Sequence, residues 1–541
     1  MKATIIQLNH CAACVTMVLL LMLGNNCFSQ TLPVGLLNTE DFFRREQLLD
    51  NDSVKGSFMI RPLLLSNLSN LGRLKYVVYN NDKLRSEFSI LPLVIEQQFN
   101  SDRPFGINDG SMILARGYQS RISVGFFGKI GPLSLQVRPD YVYAENRKFR
   151  TGADLLAQKI STPILNNGNR VDLPERFGNG QYSKVNLGQS SLRLTFNPVS
   201  LGLSNENLWW GPGRRNSLLM TNNSSGFNHV TLNTSAPIKT LIGTFESQIV
   251  GGRLEPSGVP IPANSSLKEK SKDWTYFSGF VMTYQPKWIP NLFLGFDRAF
   301  IVSRANMGNR FIDYFPFFSP IEKAAFDQSG VQNGPGSDDL AKRDQYISAF
   351  ARWVFPETHA EVYFQYGRND HAYDKRDLFI EPEHSMAYVG GFRKLVPLSD
   401  AFLSVAVEAT HLEGSQTGAI RAQPTWYVHS QVPNGYTNMG QFIGAGIGPG
   451  SNTQSVEISW VKGLKTAGIE VGRFENGVDL SNNAKSKAWV DFAVGGLFDW
   501  EFNRFLLSSK LTYIHSNNYQ YLDERANNLQ FKIGLLYNFN K

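Results

Sequence analysis

The last stretch of the chain alternates strictly. Leu529, Phe531, Ile533, Leu535, Tyr537 and Phe539 are apolar, and Gln530, Lys532, Gly534, Leu536, Asn538 and Asn540 between them are mostly small or polar. Successive side chains of a strand point to opposite faces, so one face here is wholly apolar and the other can meet water. A long alternating strand at the end of a chain that opens with an export leader is the pattern of a transmembrane β-barrel of a Gram-negative outer membrane. That pattern fixes the solvent on each face and removes most enzyme readings.

The leader is read from residues 1–29. Lys2 is its only charged residue, and Val15 to Leu23 form an apolar run far shorter than the ~20 residues of a spanning helix. Cys27 and Ser29 are small residues at the −3 and −1 positions of a cut before Gln30, as in a cleaved secretory signal. Lipidation at Cys27 is the alternative, and Gly24-Asn25-Asn26 makes a poor lipobox for it. All three cysteines (Cys11, Cys14, Cys27) lie in the leader, so the processed chain is expected to carry no disulfide and no cysteine–metal site. A closed ladder of backbone hydrogen bonds would supply its stability instead.

Mean hydropathy is −0.23, a soluble-looking value that a barrel also gives, because only alternate strand residues face lipid and the loops dilute them. Aromatic residues make up 12% of the chain, enough for girdles at both interfaces. The net charge of +7 is modest for this length. It fits a mild preference for anionic partners such as acidic polysaccharide or lipid phosphate, and without a dense Lys/Arg tract no nucleic-acid partner is expected.

Residues 30–74 read as a periplasmic helical or plug segment. Within it Leu36 to Asp50 is expected to be helical, with Thr39 as its cap and Glu40 and Asp41 near its N-terminus. Residues 75–541 read as strand, turn, strand. Ile122, Val124 and Phe126 alternate, turn at Gly131-Pro132, and continue into Leu133, Leu135 and Val137. Leu192, Leu194 and Phe196 alternate with polar residues, as do Ala360, Val362, Phe364 and Tyr366, and Leu403, Val405, Val407 and Ala409. At about 25–30 residues per strand with its share of loop, such a chain forms about 16–20 strands, and the expectation is a closed antiparallel barrel of about 18. A propeller would need a fixed repeat, and none is found. Four stretches are too long for hairpin turns: 146–185, 255–272, 304–343 and 431–453. The third holds a possible short helix from Pro320 to Gln328. Long loops of such barrels lie outside the cell, and these are expected to be the working parts, some of them folding inward.

The most distinctive local sequence is Asn205-Glu206-Asn207-Leu208-Trp209-Trp210-Gly211-Pro212-Gly213-Arg214-Arg215. Paired tryptophans beside paired arginines offer flat apolar faces next to hydrogen-bond donors, which is how sugars are held. A tryptophan girdle with a tight turn would read the same way. Gly444-Ala445-Gly446-Ile447-Gly448-Pro449-Gly450 looks like a nucleotide loop but has a proline where a helix should open, so a flexible loop is the better reading. The histidines outside the leader show no metal-ligand spacing, and no Ser–His pair is marked out as a barrel lipase would need. Arg116, Arg121, Arg138 and Arg193 sit where neighbouring residues are apolar, and are expected to face the lumen. With Asp140, Glu145, Glu361 and Glu408 they would form an internal ion network or an electropositive path for an acidic glycan.

The chain resembles the capsule-assembly Wzi family of outer-membrane proteins. Trp210-Gly211-Pro212-Gly213 with Ser217-Leu218-Leu219 resembles that family's tryptophan–glycine–proline–glycine signature. Asn108-Asp109-Gly110, Arg116-Gly117, Pro132 to Leu135, Asp344-Gln345, Tyr388 to Gly391 and Gly435 to Asn438 support it. The resemblance implies a barrel of roughly 18 strands with its N-terminal helical region on the periplasmic side. It also implies a lectin-like, non-enzymatic protein without cofactor or metal that holds capsular or exopolysaccharide at the cell surface. Trp209, Trp210, Arg214, Arg215 and Tyr436 are the glycan-binding candidates, and Arg116, Arg121, Arg138 and Glu361 the lumenal charges. Outer-membrane lipid and the barrel-assembly machinery are the other expected partners, and a porin or substrate-specific channel is the runner-up. The aromatic Phe539 is followed by Asn540-Lys541 instead of closing the chain, which departs from the ending that assembly machinery reads.

Overall fold

A computed structural model describes residues 30–50, 54–68, 76–81, 83–160, 163, 170–261, 269–318, 342–369, 383–415, 424–480 and 487–539. The leader and the expected helix Pro320–Gln328 lie outside the described residues.

Eighteen antiparallel strands close on themselves. In chain order they are β1 (Ser86–Asn100), β2 (Gly117–Ile130), β3 (Leu133–Val137 with Asp140–Ala144), β4 (Tyr182–Asn186 with Ser191–Phe196), β5 (Val199–Ser204) and β6 (Asn228–Thr234 with Ile238–Lys239). There follow β7 (Gly243–Leu254), β8 (Thr275–Pro286), β9 (Leu292–Ser303), β10 (Arg343–Phe355), β11 (Ala360–Asn369) and β12 (Met386–Pro397). The last six are β13 (Phe402–His411), β14 (Asn452–Lys462), β15 (Lys465–Asn476), β16 (Trp489–Phe502), β17 (Phe505–Asn517) and β18 (Arg525–Tyr537). Closure comes from β18 against β1, Gln530 opposite Asn100 and Tyr537 opposite Leu93. Pro92 falls at the register break between Leu91 and Val94 of β1. A proline cannot donate to a ladder, so it suits a bulge. The strand Tyr76–Asn81 prolongs the sheet there by pairing with Ser86–Ile90.

The alternation read from sequence is the wall. On β18, Leu529 and Phe531 are exposed on the lipid side, whereas Asn528 and Gln530 are buried toward the lumen. Val362 and Phe364 of β11 point outward, and Glu361, Tyr363 and Gln365, which alternate with them, are buried. Turns between strands are short at one end of the barrel, such as Gly131-Pro132 and Gly463-Leu464, and the long loops gather at the other. By the rule for such barrels the short turns are periplasmic and the long loops extracellular. Among the described residues no helix is long and apolar enough to cross a membrane.

The N-terminal segment enters the lumen from the short-turn end. Its helix α1 (Thr39–Leu48) is shorter than the expected 36–50. Asn38 is the N-cap residue, and Thr39 is the first helical residue, its hydroxyl donating to Leu36 O at 2.5 Å. Arg45 Nη2 and Asn38 Nδ2 donate to the turn carbonyls of Gly463 and Leu464, at 2.9 and 3.3 Å, which fixes α1 at that mouth.

Candidate functional site

The segment between β5 and β6, residues 205–227, does not stay at the surface. It turns into the lumen and is stitched to what it meets there. Trp209-Trp210 form a short antiparallel pair with Arg61 and Ile60 of the N-terminal segment. The Arg61 guanidinium lies 4.2 Å over the Trp209 ring, a cation–π contact strengthened by burial. Burial pushes Arg61 down to about 10, against the pull of Glu40. Trp210 Nε1 donates to Gln248 on β7 at 2.8 Å, and its ring lies on Gly279 of β8, where a Cβ would come within 2.6 Å of it. Glycine at that wall position is what admits the indole.

Beyond Gly211-Pro212-Gly213 the chain reverses against the wall. The backbone N–H groups of Arg214, Arg215 and Asn216 donate to the Glu408 carboxylate at 2.7, 3.0 and 2.9 Å. Arg214 meets Asp41 of α1 at 3.2 Å and Glu457 of β14 at 3.5 Å. Arg215 meets Glu457 at 2.9 Å and Glu470 of β15 at 2.7 Å. Asp41 is also held by Arg393 of β12 at 2.8 Å and by Arg45 at 3.1 Å. Burial pushes the Asp41 carboxyl up, but Arg393, Arg214 and Arg45 outweigh it and hold it well below the ordinary carboxylate range. One carboxylate thus ties plug helix, inward loop and wall together. Beside it Glu361 bridges Arg44 of α1 at 2.9 Å and Arg352 of β10 at 2.7 Å.

A second inward segment, residues 424–451, packs on the first. Tyr427 and Tyr436 donate through their hydroxyls to Leu218 O and Leu219 O, at 2.7 and 2.9 Å. Their rings stack at 5.5 Å, and Tyr346 of β10 lies 4.4 Å from Tyr436. Leu218, Leu219, Phe277, Trp426, Phe442 and Ile443 join them in one buried apolar cluster inside the barrel. The glycine-rich stretch is part of this packing and not a flexible loop: a Cβ on Gly444 would strike Leu218 O and the Tyr427 ring.

Among the described residues, open space in the lumen lies to one side of this core. A cavity of about 290 Å³ is bordered by Trp209, Arg214, Arg215, Asp41 and Glu457. A neighbouring one of about 270 Å³ lies toward Lys510 and Lys532, and both share Leu37, Asn38, Leu497 and Asp499. At the outer mouth Arg147 and Lys148 are exposed, Arg147 pairing with Glu145 at 2.8 Å. Arg150 reaches Glu524 at 2.7 Å.

The family model of capsule assembly protein Wzi matches residues 91–484. The chain belongs to the Wzi family. It is an outer-membrane β-barrel of the capsule-assembly type. Among solved structures it is similar to Wzi of Escherichia coli, described as a carbohydrate-binding β-barrel involved in group 1 capsule assembly, with TM-score 0.58 and 12% identity over 93% of this chain and 99% of that one. OccAB2 of Acinetobacter baumannii (TM-score 0.41, 10% identity, 84% and 98% covered) and a BenF-like porin of Pseudomonas fluorescens (0.39, 9%, 84% and 99%) are more distant likenesses. No curated protein matches the chain in sequence.

Against this Wzi-family barrel the glycan candidates divide. Trp210 and Tyr436 are fully buried with their donors satisfied inside the protein, so neither offers a ring face to a sugar. The apolar bulk of Trp210 packs in the lumenal core. Trp209, Arg214 and Arg215 come together, but on the inner cavity and not on the outer surface. Of the expected lumenal charges, Arg121 pairs with Glu96 and Glu361 with two arginines. Arg138 is buried, donating to Pro92 O at 3.2 Å, and Arg193 pairs with Glu206 at 2.6 Å. Arg116 differs. It belongs to the loop before β2 and donates to Ser101 O and Lys148 O at the outer mouth, because β2 begins one residue later. Sequence reasoning passed over Asp41, Arg352, Arg393, Glu457 and Glu470. The four wall residues among them carry the same signal as Glu361, a charge at the inward parity of an apolar strand.

Proposed function

We propose that this chain binds capsular or exopolysaccharide at its outer mouth and anchors it at the cell surface, without catalysis. The observation that carries the reading is the filled lumen: the N-terminal segment and two inward loops occupy it, which leaves the extracellular loops as the surface a polymer can reach. Family membership and the carbohydrate-binding description of Escherichia coli Wzi support it. The exposed Arg147 and Lys148, with Arg116 and Arg150 beside them, offer guanidinium and ammonium donors suited to an acidic glycan. Weak contacts repeated over many copies in one membrane would hold a long polymer through effective concentration. In this account Trp209, Trp210, Arg214, Arg215 and Tyr436 support the loops from within, and a leader over residues 1–29 delivers the chain for export.

The test compares one double variant with the parent for polymer binding in whole cells. Arg147→Glu with Lys148→Glu should release polymer while the barrel folds normally. If that variant holds polymer as well as the parent, the acidic-glycan rim is wrong.

A further inference from the structure

The barrel wall is interrupted at one place. The upper half of β4, Tyr182–Asn186, pairs with β3 only, and it ends the sheet on that side with no strand on its other edge among the described residues. The next strand, β5, stops at Ser204 and turns into the lumen, and β6 returns only at Asn228. Six residues of β5 extend about 20 Å along the strand, and any tilt leaves them well short of the ~25 Å apolar band of an outer membrane. On one side β3 and β4 rise above that level, whereas on the other β6 starts level with it, His229 opposite Ser204, so the wall has a notch beside the upper half of β4.

The notch holds a recess of about 620 Å³ on the lipid-facing side. Leu135, Leu187, Leu192, Leu203 and Val230 line it, and Leu187 and Leu203 are 61% and 59% exposed. It is continuous with the lipid-facing surface, so its occupant comes from the bilayer, and it sits at the long-loop end, in the outer leaflet. At its rim Arg253 and Arg304 flank Trp274, 5.4 and 5.7 Å from the ring. Arg253 binds Glu255 through Nε and Nη2, and Arg304 reaches Asp273 through Nη1 at 3.4 Å. Each guanidinium has five donors, so both keep N–H groups to spare at an aromatic interface. His229, at the inner edge of the recess, has its buried Nε2 without a hydrogen-bond partner.

We infer that this recess is a binding site for one glycolipid of the outer leaflet. An acyl chain lies over Leu203 and Val230, and a phosphorylated sugar head is held by Arg253 and Arg304 beside Trp274. Guanidinium groups bind phosphate oxygens bidentately, and the recess sets an apolar wall directly beside that rim, so the two ends of one lipid A-type molecule match the two ends of the site. The inference does not depend on the polysaccharide reading.

The experiment uses the full chain in nanodiscs of phosphatidylethanolamine with added lipid A, followed by native mass spectrometry of the released protein. The parent should retain lipid A as a discrete adduct. Leu203→Trp with Val230→Trp, which fills the recess, should lower that adduct about tenfold, a loss of about 1.4 kcal/mol in binding. Val494→Trp on the far wall should leave it unchanged. Should the filled variant not fold, Arg253→Ala with Arg304→Ala keeps the wall intact and should give a comparable loss. Equal retention by parent and both variants, or retention of phosphatidylethanolamine as strong as that of lipid A, overturns the inference.

Discussion

Arg44 of the plug helix donates through Nε to Glu361 of the barrel wall at 2.9 Å, across 317 positions of sequence. Glu361 is fully buried and also accepts from Arg352 at 2.7 Å. The plug is therefore fastened to the wall by a charge that has no water to fall back on.

Glu361→Leu should destabilise the protein by about 3–5 kcal/mol, because it leaves two guanidiniums buried without a counter-charge. Replacing Arg44 and Arg352 with Met as well should recover most of that loss. The midpoint of the heat-induced shift in gel migration reports both.

Acid should loosen the plug at Asp41. Its carboxyl is held well below the ordinary range in the folded protein, whereas the unfolded value is about 3.9. A depressed acid contributes stability that is fully present above the unfolded value and is lost as pH falls through the folded one. Protease cleavage near residues 39–48 should thus stay low at neutral pH and rise below about pH 4. Asp41→Asn should raise it already at neutral pH.

A different sign holds at the outer loop. Burial raises Glu175 to about 7, despite the hydrogen bond from the Gly152 backbone. A raised acid favours the folded loop below its unfolded value, and that contribution is lost as pH rises through the folded one. Amide exchange over the short helix Gly152–Ala157 should therefore quicken as pH rises through the range from about 4 to 7 by more than its intrinsic base catalysis. Glu175→Gln should abolish the excess.

The filled lumen predicts small conductance. In planar bilayers the parent should be nearly silent, since the N-terminal segment and the inward loops fill the lumen and the cavities beside them are bordered by charged side chains. Replacing residues 206–226 with a short Gly-Ser linker should produce large, steady steps. Large steps in the parent would favour the channel alternative.

How far the sequence could be read follows from periodicity. The period of two in Leu529–Phe539 or Ala360–Tyr366 is local, so strand faces, strand number and the lumenal placement of Glu361 and Arg121 were all legible. Pairings were not. Nothing near Asp41 indicates that Arg393 or Arg214 will reach it, because those contacts depend on how strands and plug are staggered in the closed barrel. The Trp-Trp-Gly-Pro-Gly-Arg-Arg motif was ambiguous for a related reason. Aromatics, glycines and arginines serve a sugar site and a plug equally, and only burial separates them. Lumens of open barrels are polar, whereas this one contains an apolar core built from its own loops, with Trp210, Tyr427 and Tyr436 at its centre.

Retention of surface polysaccharide is tested most directly by the partition of that polymer between cells and medium. Deleting the gene should leave total polymer unchanged and move most of it into the medium, with the parent chain restoring the cell-bound fraction. An unchanged partition in the deletion strain would contradict the account.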